Sequence, residues 1–483
     1  MTDVDAVVVG AGPNGLAAAV TLARAGLKVQ VFEQAATIGG GARTAELTLP
    51  GFHHDVCSAV HPMALASEFF RAFQLERRIK LTLPEVQYGH PLDDGRAGIA
   101  WRDIERTADG LGRDRKAWLS LMGPLARHAD DVAQFTGNTL LRVPRHPITF
   151  TQFGLGVLEQ GLPTWNLRWR EDAAPAMLAG IAAHSIRPMP SPSTAAVALA
   201  LGTYAHARGW PIPVGGSQAI VDALAGDLRE HGGEIVTGAS IESLSDLPRA
   251  RATVLTVSAR ALGRIAGDVL PAGYRRTLDR FQYGNAVAKV DFALSGPVPW
   301  TNEDLRKAGT LHVGGNREEL ARGERDVANG KHPASPYVLV AQPSIVDPSR
   351  APEGKHVLWA YTHVPRNSTV DMTEAITAQI ERFAPGFRDL ILASKSQTAV
   401  DMENYNPNYV GGDIAAGAAS VKQLLARPTL SNDPWRTPAK GIYLGSSSAS
   451  PGPGVTGLVG WRAARSALTH EFGLPAPELG IES

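Results

Sequence analysis

Three glycines near the start of the chain have the spacing of a phosphate-binding turn. Gly10, Gly12 and Gly15 follow a short β-branched run, and Pro13 and Asn14 begin an alanine- and leucine-rich stretch. This order predicts a strand, a tight turn and a helix. Gly10 permits the turn, Gly12 lets a diphosphate approach the backbone, and Gly15 allows the helix to pack against the strand. Because the helix N-terminus offers free N–H groups, the segment predicts a dinucleotide site.

Glu33 ends the second predicted strand, residues 29–32, and completes a βαβ unit with the glycine turn. A carboxylate in this position accepts hydrogen bonds from ribose hydroxyls and repels a 2′-phosphate, so NADP is disfavoured. The alternative is a tight glycine turn without a ligand, which the combination of strand, helix and acid makes less favoured. Glu33 by itself does not choose between NAD and FAD.

The loop after Glu33 resembles that of flavin amine oxidases and phytoene desaturases. Residues 38–44 read Ile-Gly-Gly-Gly-Ala-Arg-Thr, a glycine run followed by an arginine. In that superfamily the loop runs along the diphosphate and ribityl chain of FAD, and the arginine pairs with phosphate. The alternative for the arginine is a solvated surface position. The resemblance implies FAD contacts at Gln34, Gly39, Gly40, Gly41, Ala42 and Arg43.

The C-terminal segment is similar to the last motif of the phytoene desaturase group. A predicted strand at 441–444 leads to Gly445 and to a Pro-Gly-Pro-Gly-Val loop at 451–455 that opens a helix. In that group the helix points at the flavin ring, and its N-terminus would stabilise the negative charge of the reduced flavin. The alternative is a proline-rich connector. The resemblance implies contacts from Gly445, Gly454, Val455 and Thr456, with the N–H groups of Val455 and Thr456 as donors.

The middle of the chain carries a further part of the same resemblance, at residues 214–220 and 232–235. It implies that Ile241 meets the adenine and that Thr256 and Val257 end the next strand near the same nucleotide. Within the superfamily the likeness is closest to bacterial phytoene-dehydrogenase-like proteins, including the pyridine nucleotide-disulphide oxidoreductase domain-containing protein 2 type.

Residues 52–62 lie, in that superfamily, beside the isoalloxazine ring. His53 and His54 are adjacent, which is not a usual ligand spacing, so no metal site is predicted. Cys57 has no evident base partner and is interpreted as a packed thiol. His61 is the candidate catalytic acid or base, against the alternative of a hydrogen-bonded structural imidazole. Lys289 is given no role, while Glu403, Asn404, Tyr405 and Tyr409 are weaker candidates for the substrate cavity.

Composition excludes several function classes. The 483 residues contain 47 Lys and Arg and 47 Asp and Glu, so the basic excess of a nucleic-acid binder is missing. The single cysteine excludes disulphide chemistry, favours a reducing compartment and leaves FAD non-covalent. Residues 1–5 lack a signal-peptide pattern, and no apolar run could span a bilayer. We therefore expect a cytoplasmic protein without integral membrane contact, and peripheral contact stays open.

These elements predict an α/β fold: a discontinuous, Rossmann-like FAD-binding domain of the glutathione-reductase type with an inserted mixed α+β substrate domain. Further helices are expected at 111–133, 173–183, 376–383 and 457–470, a loop followed by a helix at 215–228, and strands at 234–244, 253–257, 287–294 and 356–363. Residues 141–163 look broken by prolines and glycines. The FAD-binding domain is assigned residues 1–90, 211–284 and 431–483, and the substrate domain residues 91–210 and 285–430.

The combined prediction is an FAD-dependent oxidoreductase that transfers hydride between an apolar or amphipathic small molecule and flavin N5. Without a second nucleotide motif, the electrons are expected to pass to oxygen, a quinone or a similar small acceptor. An amine oxidase, a non-catalytic scaffold of the same fold and an NAD-dependent dehydrogenase are the alternatives. Substrate identity and reaction direction stay undetermined, and a homo-oligomer stays open.

Overall fold

The computed structural model describes residues 4–481. The prediction about a signal peptide in residues 1–5 therefore falls largely outside the described residues. The strands, in chain order, are β1 Ala6–Val9, β2 Val29–Glu33, β3 Thr44–Glu46, β4 His53–Asp55, β5 Leu81–Thr82, β6 Val86–Pro91, β7 Ala97–Trp101, β8 Ile212–Pro213, β9 Glu234–Thr237, β10 Ala252–Leu255, β11 Ala286–Leu294, β12 Thr310–Val313, β13 Val338–Ala341, β14 His356–Val364, β15 Ile391–Gln397 and β16 Ile442–Leu444.

The helices pack against both faces of the larger sheets. In chain order they are α1 Pro13–Arg24, α2 Glu68–Ala72, α3 Leu75–Arg78, α4 Ile104–Asp109, α5 Arg115–Arg127, α6 Ala129–Thr136, α7 Pro147–Gly161, α8 Ala173–Ala182, α9 Pro192–Ala207, α10 Gln218–Glu230, α11 Ala259–Ile265, α12 Ala272–Asp279, α13 Arg317–Ala328, α14 Thr373–Phe383, α15 Ala399–Tyr405, α16 Val421–Leu425 and α17 Leu458–Ala467. Among the described residues no helix is both long and apolar enough to cross a membrane.

A five-stranded parallel sheet joins distant parts of the chain in the order β16-β10-β1-β2-β9. All four residues of β1 are buried, because helices cover both faces of a parallel sheet. Helices α1, α10 and α17 pack together beside it, and Gly460 of α17 lies so close to α1 that a Cβ there would collide with Asn14 O. The strand order confirms the Rossmann-like α/β fold class.

A seven-stranded mixed sheet, ordered β15-β11-β14-β13-β12-β6-β7, forms the second layer. Successive side chains along each strand of this sheet point to opposite faces, and the two faces pack against different parts of the protein. On β14, Leu358 and Ala360 enter an aliphatic core with helix α14, whereas Trp359 and Tyr361 face the side covered by helices α5 to α9. Strand β6 crosses the predicted boundary at residue 90 and belongs to this sheet. The division into domains itself stays a prediction.

Two predicted elements differ from those observed. The strand expected over 234–244 ends at Thr237, because Gly238 has a φ of 70° and turns the chain toward β2. The region 141–163 contains the 15-residue helix α7, which begins with Pro147 at its first position, where a proline is tolerated. Its glycines allow close packing, since a Cβ at Gly156 would lie 2.9 Å from Leu199 Cδ1 of α9.

Candidate functional site

One cavity of about 940 Å³ connects the glycine turn of the five-stranded sheet to the face of the seven-stranded sheet that carries Trp359 and Tyr361. Its volume lies at the upper end of the range for small-molecule sites. The predicted contacts that line it are Gly10, Gly12, Pro13, Asn14, Gly15, Glu33, Gln34, Gly40, Gly41, Ala42, Arg43, His61, Ile241, Thr256, Val257, Gly454 and Val455. The structure therefore brings together residues that are more than 400 positions apart.

The three glycines of the turn meet different surroundings. Gly10 has a φ of 101°, and a Cβ there would collide with the Thr256 hydroxyl. A Cβ at Gly15 would collide with the carbonyl oxygen of Gly10. A Cβ at Gly12, by contrast, would meet only Gly40 Cα at 3.7 Å, and its φ of −78° suits any residue. Protein packing explains Gly10 and Gly15, so the space at Gly12 fits the approach of a ligand.

Helix α1 starts at this turn with unpaired polar groups. Gly12 at its N-cap supplies no side chain to cap the helix, and no hydrogen bond is recorded for the N–H groups of Asn14 and Gly15. The Asn14 side-chain oxygen is buried without a partner. Free N–H groups at a helix N-terminus attract anions, so this end of the cavity suits a diphosphate.

Glu33 and Arg43 lie together at the nucleotide end. The Glu33 carboxylate accepts hydrogen bonds from Ala11 N at 2.8 Å and Ala35 N at 2.9 Å. Arg43 Nη2 donates to Thr37 O at 2.7 Å and lies 3.4 Å from Glu33 Oε1. Both side chains are buried, while Gln34 is exposed at the edge of the cavity. The pair places one fixed negative and one fixed positive charge beside the glycine turn.

The predicted adenine contacts line the same end of the cavity. Ile241 and Val257 are each 9% exposed and give this part an apolar surface. Thr256 Oγ1 donates to Val9 O at 2.7 Å, so the hydroxyl supports the glycine turn. Ile241 follows the turn after β9 and does not belong to a strand.

The C-terminal loop is divided between the cavity and the protein interior. Gly454 and Val455 line the cavity, and a Cβ at Gly454 would lie 3.1 Å from Met63 Sδ. Gly445 and Thr456 lie behind this lining. A Cβ at Gly445 would press on Val254 Cγ1 at 2.8 Å, and Thr456 O accepts a hydrogen bond from Ser67 Oγ at 2.7 Å. Packing thus explains Gly445, and the backbone of Thr456 helps to anchor the loop.

His61 lines the cavity near this loop and is held in one tautomer. The Ser217 hydroxyl donates to Ser58 O at 2.6 Å, so it accepts from His61 Nε2–H at 2.8 Å. His61 Nδ1 is then an acceptor, and it is buried without a partner. Burial lowers the pKa of His61 to about 4, so the ring is neutral at pH 7. The neighbouring Cys57 thiol is also buried, and burial raises its pKa.

Aromatic rings form the wall of the cavity on the side of the seven-stranded sheet. Trp359 and Tyr361 of β14 meet edge to face with ring centroids 5.1 Å apart. Tyr405 and Tyr409 also line the cavity, where the Tyr405 hydroxyl donates to Gly40 O and the Tyr409 hydroxyl lies against Gly41. The sequence identified the two tyrosines only as weaker candidates and missed Trp359 and Tyr361. The alternation of Trp359, Tyr361 and His363 along a predicted strand was the signal that could have found them.

The charges around the cavity fit a dinucleotide. Among the described lining residues, Glu33 is the only carboxylate, whereas Arg43, Arg264 and Arg427 supply positive charge. These residues, the open space at Gly12 and the uncapped N-terminus of α1 suit the diphosphate and ribose of a dinucleotide. Over residues 4–481 no group of three histidine, cysteine or acidic side chains is placed to hold a metal ion.

Comparisons with known proteins agree with this architecture. A family model described as an NAD(P)-binding Rossmann-like domain matches residues 8–73. The pyridine nucleotide-disulfide oxidoreductase domain-containing protein 2 of Mus musculus is 26% identical over 560 residues, covering 95% of this chain and 92% of the relative. The zeta-carotene-forming phytoene desaturase of Myxococcus xanthus is 28% identical over 386 residues, covering 74% of this chain and 72% of the relative.

Solved structures share the fold over nearly the whole chain. A putrescine oxidase triple mutant matches with a TM-score of 0.63 at 18% identity, covering 96% of this chain and 99% of the oxidase. Cyclohexylamine oxidase from Brevibacterium oxydans matches with a TM-score of 0.59 at 16% identity, covering 97% and 98%. At these identities the structures bear on the fold alone. The sequence relatives confirm the resemblance to phytoene desaturases and to the pyridine nucleotide-disulfide oxidoreductase domain-containing protein 2 type, and the solved structures confirm the fold.

Proposed function

We propose that this protein is an FAD-dependent oxidoreductase that transfers hydride between a neutral, apolar or amphipathic small molecule and the flavin. The observation that carries the proposal is one continuous cavity of about 940 Å³, which joins the glycine turn to an aromatic and aliphatic chamber. When bound there, FAD supplies the hydride donor or acceptor at flavin N5. The chain supplies binding, orientation and exclusion of water.

The nucleotide end would hold FAD without a covalent bond. Glu33 would face the ribose, the N–H groups that begin α1 would face the diphosphate, and Arg43 would balance its charge. Cys57 is the only cysteine of the chain and lies outside the C-terminal loop. At the other end, the loop containing Gly454 and Val455 would approach the flavin ring.

His61 would act at the flavin end as a neutral hydrogen-bonding group. Its Nδ1 can accept a hydrogen bond or a proton, but a pKa of about 4 makes the ring a weak base at pH 7. Trp359 and Tyr361 would position an apolar substrate through contact with their ring faces and edges. Hydride transfer from a carbon atom over the flavin would then depend mainly on this placement.

The lining favours a neutral substrate over an amine. A protonated amine inside a buried cavity needs a carboxylate or another acceptor to offset the loss of water. Among the described lining residues the only carboxylate is Glu33, which lies at the nucleotide end and already accepts two backbone hydrogen bonds. We therefore rank amine oxidation below oxidation, reduction or isomerisation of a neutral molecule.

Location and electron acceptor form part of the proposal. The single buried cysteine supports a reducing, cytoplasmic setting, and oxygen or a quinone would take the electrons.

Nine large apolar residues are exposed between positions 140 and 167, and two of them, Leu140 and Phe150, also line the cavity. Arg142 and Arg145 are exposed among them, and residues 140–158 contain no acidic residue. We call the exposed apolar residues between positions 140 and 167 the entrance surface, because Leu140 and Phe150 also line the cavity. The entrance surface suits peripheral contact with an anionic membrane that holds an apolar substrate.

A visible spectrum of the purified protein tests the cofactor, and anaerobic bleaching tests the chemistry. Protein should carry FAD that trichloroacetic acid releases, and a polyene or another neutral substrate should bleach the flavin, whereas amines should not. A protein that neither carries nor takes up FAD would support a non-catalytic scaffold instead. Bleaching by an amine alone would overturn the preference for neutral substrates.

A further inference from the structure

A buried cluster of histidines lies on the cavity side of the seven-stranded sheet and has no part in the proposed flavin site. His90 of β6, His312 of β12 and His363 of β14 come from three strands, and His184 follows helix α8. His312 stacks on Tyr337 with ring centroids 6.2 Å apart, and Tyr337 packs against His363 at 4.9 Å. The strand alternation that brings Trp359 and Tyr361 to this face therefore also brings imidazoles to it.

His184 is the member of this cluster that lines the cavity. Its Nε2 lies 2.9 Å from His312 Nε2, so one of these nitrogens donates and the other accepts. Among the described residues none forms a hydrogen bond with His184 Nδ1, and this atom is not fully enclosed by the protein. His184 is half-buried overall and its accessible part faces the cavity. The Nδ1 atom is thus open toward a bound molecule.

Thr310 provides a second polar group at the same wall. It lies two residues before His312 on β12, so both side chains point to the same face of the sheet. Thr310 is 2% exposed and lines the cavity, and its hydroxyl has no hydrogen-bond partner in the protein. A buried hydroxyl without a partner costs free energy, so this group needs a partner that the protein does not provide.

We propose that His184 and Thr310 form a subsite that binds an oxygen atom of the substrate, a hydroxyl or a carbonyl carried by an otherwise apolar molecule. This inference rests on the proposed function, because it specifies the substrate class of the same cavity. The wall around the subsite is apolar and aromatic, with Trp210, Leu339 and Ala341 as neighbours. One oxygen among apolar contacts is therefore the chemistry that the subsite selects.

The paired imidazoles let the subsite accept or donate. If His312 Nε2 carries the proton and donates to His184 Nε2, then His184 carries its own proton on Nδ1 and donates to a substrate carbonyl. In the opposite arrangement His184 Nδ1 is an acceptor and takes a hydrogen bond from a substrate hydroxyl. Burial lowers the pKa of His184 to about 3, so both arrangements are neutral at pH 7.

The test compares 1-octanol with n-octane, which differ in one hydroxyl group. Binding to the purified protein is measured from the free ligand concentration by headspace gas chromatography, with quenching of tryptophan fluorescence as a second signal because Trp210 and Trp359 line the cavity. The ratio of the two dissociation constants is compared between variants, so the different hydrophobicity of the two probes cancels. The wild-type protein should bind both.

Thr310→Val is the decisive variant, because it removes a hydroxyl that makes no hydrogen bond within the protein and conserves the side-chain shape. It should fold as the wild type does and weaken octanol relative to octane about fivefold to tenfold. The matched control is Thr362→Val. Thr362 is also buried with an unpaired hydroxyl, but it lies on β14 facing the aliphatic core, away from the cavity. This control should leave the ratio unchanged.

His184→Leu should lower the octanol preference about tenfold, and His184→Gln should restore part of it by keeping a hydrogen-bonding group. The subsite proposal is wrong if Thr310→Val leaves the ratio of the octanol and octane dissociation constants unchanged, or if the wild-type protein binds neither probe. Both outcomes can be measured even if His184→Leu fails to fold. Flavin absorbance is recorded on the same samples. Bound FAD with an unchanged ratio contradicts only the subsite, whereas absence of FAD contradicts the proposed function.

Discussion

At the scale of single residues, the glycines of the first turn separate structural from ligand-related roles. Gly10 and Gly15 cannot carry a side chain because other atoms of the protein occupy that space. Gly12 has an ordinary backbone conformation and open space around its Cα, so the fold tolerates a methyl group there. A dinucleotide would lie against this position, which makes Gly12 a probe of binding that leaves folding intact.

Gly12→Ala is expected to raise the apparent dissociation constant of FAD at least tenfold, because the methyl group would separate the diphosphate from the start of α1. The free energy of unfolding without FAD should change by no more than about 0.5 kcal/mol. Flavin fluorescence titration measures the first quantity and urea unfolding the second. Gly226→Ala serves as the control, since it lies inside helix α10 with nothing within 4 Å of an added Cβ. If the Gly12→Ala variant and the wild type bind FAD with equal affinity, the proposal that the diphosphate lies at this turn is wrong.

At the scale of elements, helix α7 differs most from what the sequence suggested. Its prolines and glycines indicated an interrupted region, but Pro147 begins the helix, and Gly156 and Gly161 lie at contacts with α9. The opposite side of the helix exposes Ile148, Leu155 and Leu158. A helix that is apolar on both sides lacks the polar face expected of a surface helix in water. Its outer side therefore suits a lipid surface or a partner.

We expect the double variant Ile148→Gln and Leu155→Gln to bind anionic vesicles at least fivefold more weakly than the wild type. Ile148 is 74% exposed and Leu155 is 62% exposed, so the two substitutions remove exposed apolar area from the entrance surface. Flotation with vesicles of phosphatidylglycerol and phosphatidylcholine measures the bound fraction. Leu392→Gln changes a leucine on β15 that is 47% exposed and lies outside the entrance surface, and this variant should bind as the wild type does. Wild-type protein that stays with the soluble fraction at low salt would contradict membrane contact.

At the scale of the whole molecule, buried imidazoles link stability to pH. Five histidines in different elements have pKa values lowered by burial, to about 3 for His54 and His184 and to about 4 for His61, His90 and His206. The unfolded chain takes up protons as the pH falls through about 6.5, whereas the folded chain does so only near these lowered values. The unfolded state then binds more protons, so acid favours unfolding.

The free energy of unfolding should therefore fall between pH 6.5 and 4.5, by up to about 1.4 kcal/mol per pH unit for each of these histidines. Asp291 acts in the opposite direction, because burial raises its pKa to about 6. Urea unfolding at pH 7 and pH 5 should differ by several kcal/mol. His90→Gln removes one such imidazole and should reduce the slope by about one proton. Equal stability at the two pH values would show that these histidines are not buried in the neutral form.

The sequence determined the parts of this protein that local patterns encode. The glycine spacing, the β-branched run before it and Glu33 after it specify a βαβ unit, because turn, strand and helix each depend on neighbours in the chain. The same patterns predicted strands β1, β2, β10, β11, β14 and β16 to within a few residues, whereas β12, β13 and helices α9 and α13 were not predicted. In α7, which was interpreted as a broken region, proline and glycine serve helix initiation and close packing, and nothing local distinguishes those uses from a loop.

The tertiary structure decided what lies opposite the nucleotide loops. His184, Thr310 and the β14 residues Trp359 and Tyr361 come from three distant segments, and their side chains reach one cavity only because β13 joins β12 to β14 in one sheet. Likewise, Gly445 and Thr456 belong to the C-terminal motif but lie behind the cavity lining, because the loop folds inward after Val455. Sequence thus determines the nucleotide end through local spacing, whereas long-range strand pairing determines which groups would meet the substrate.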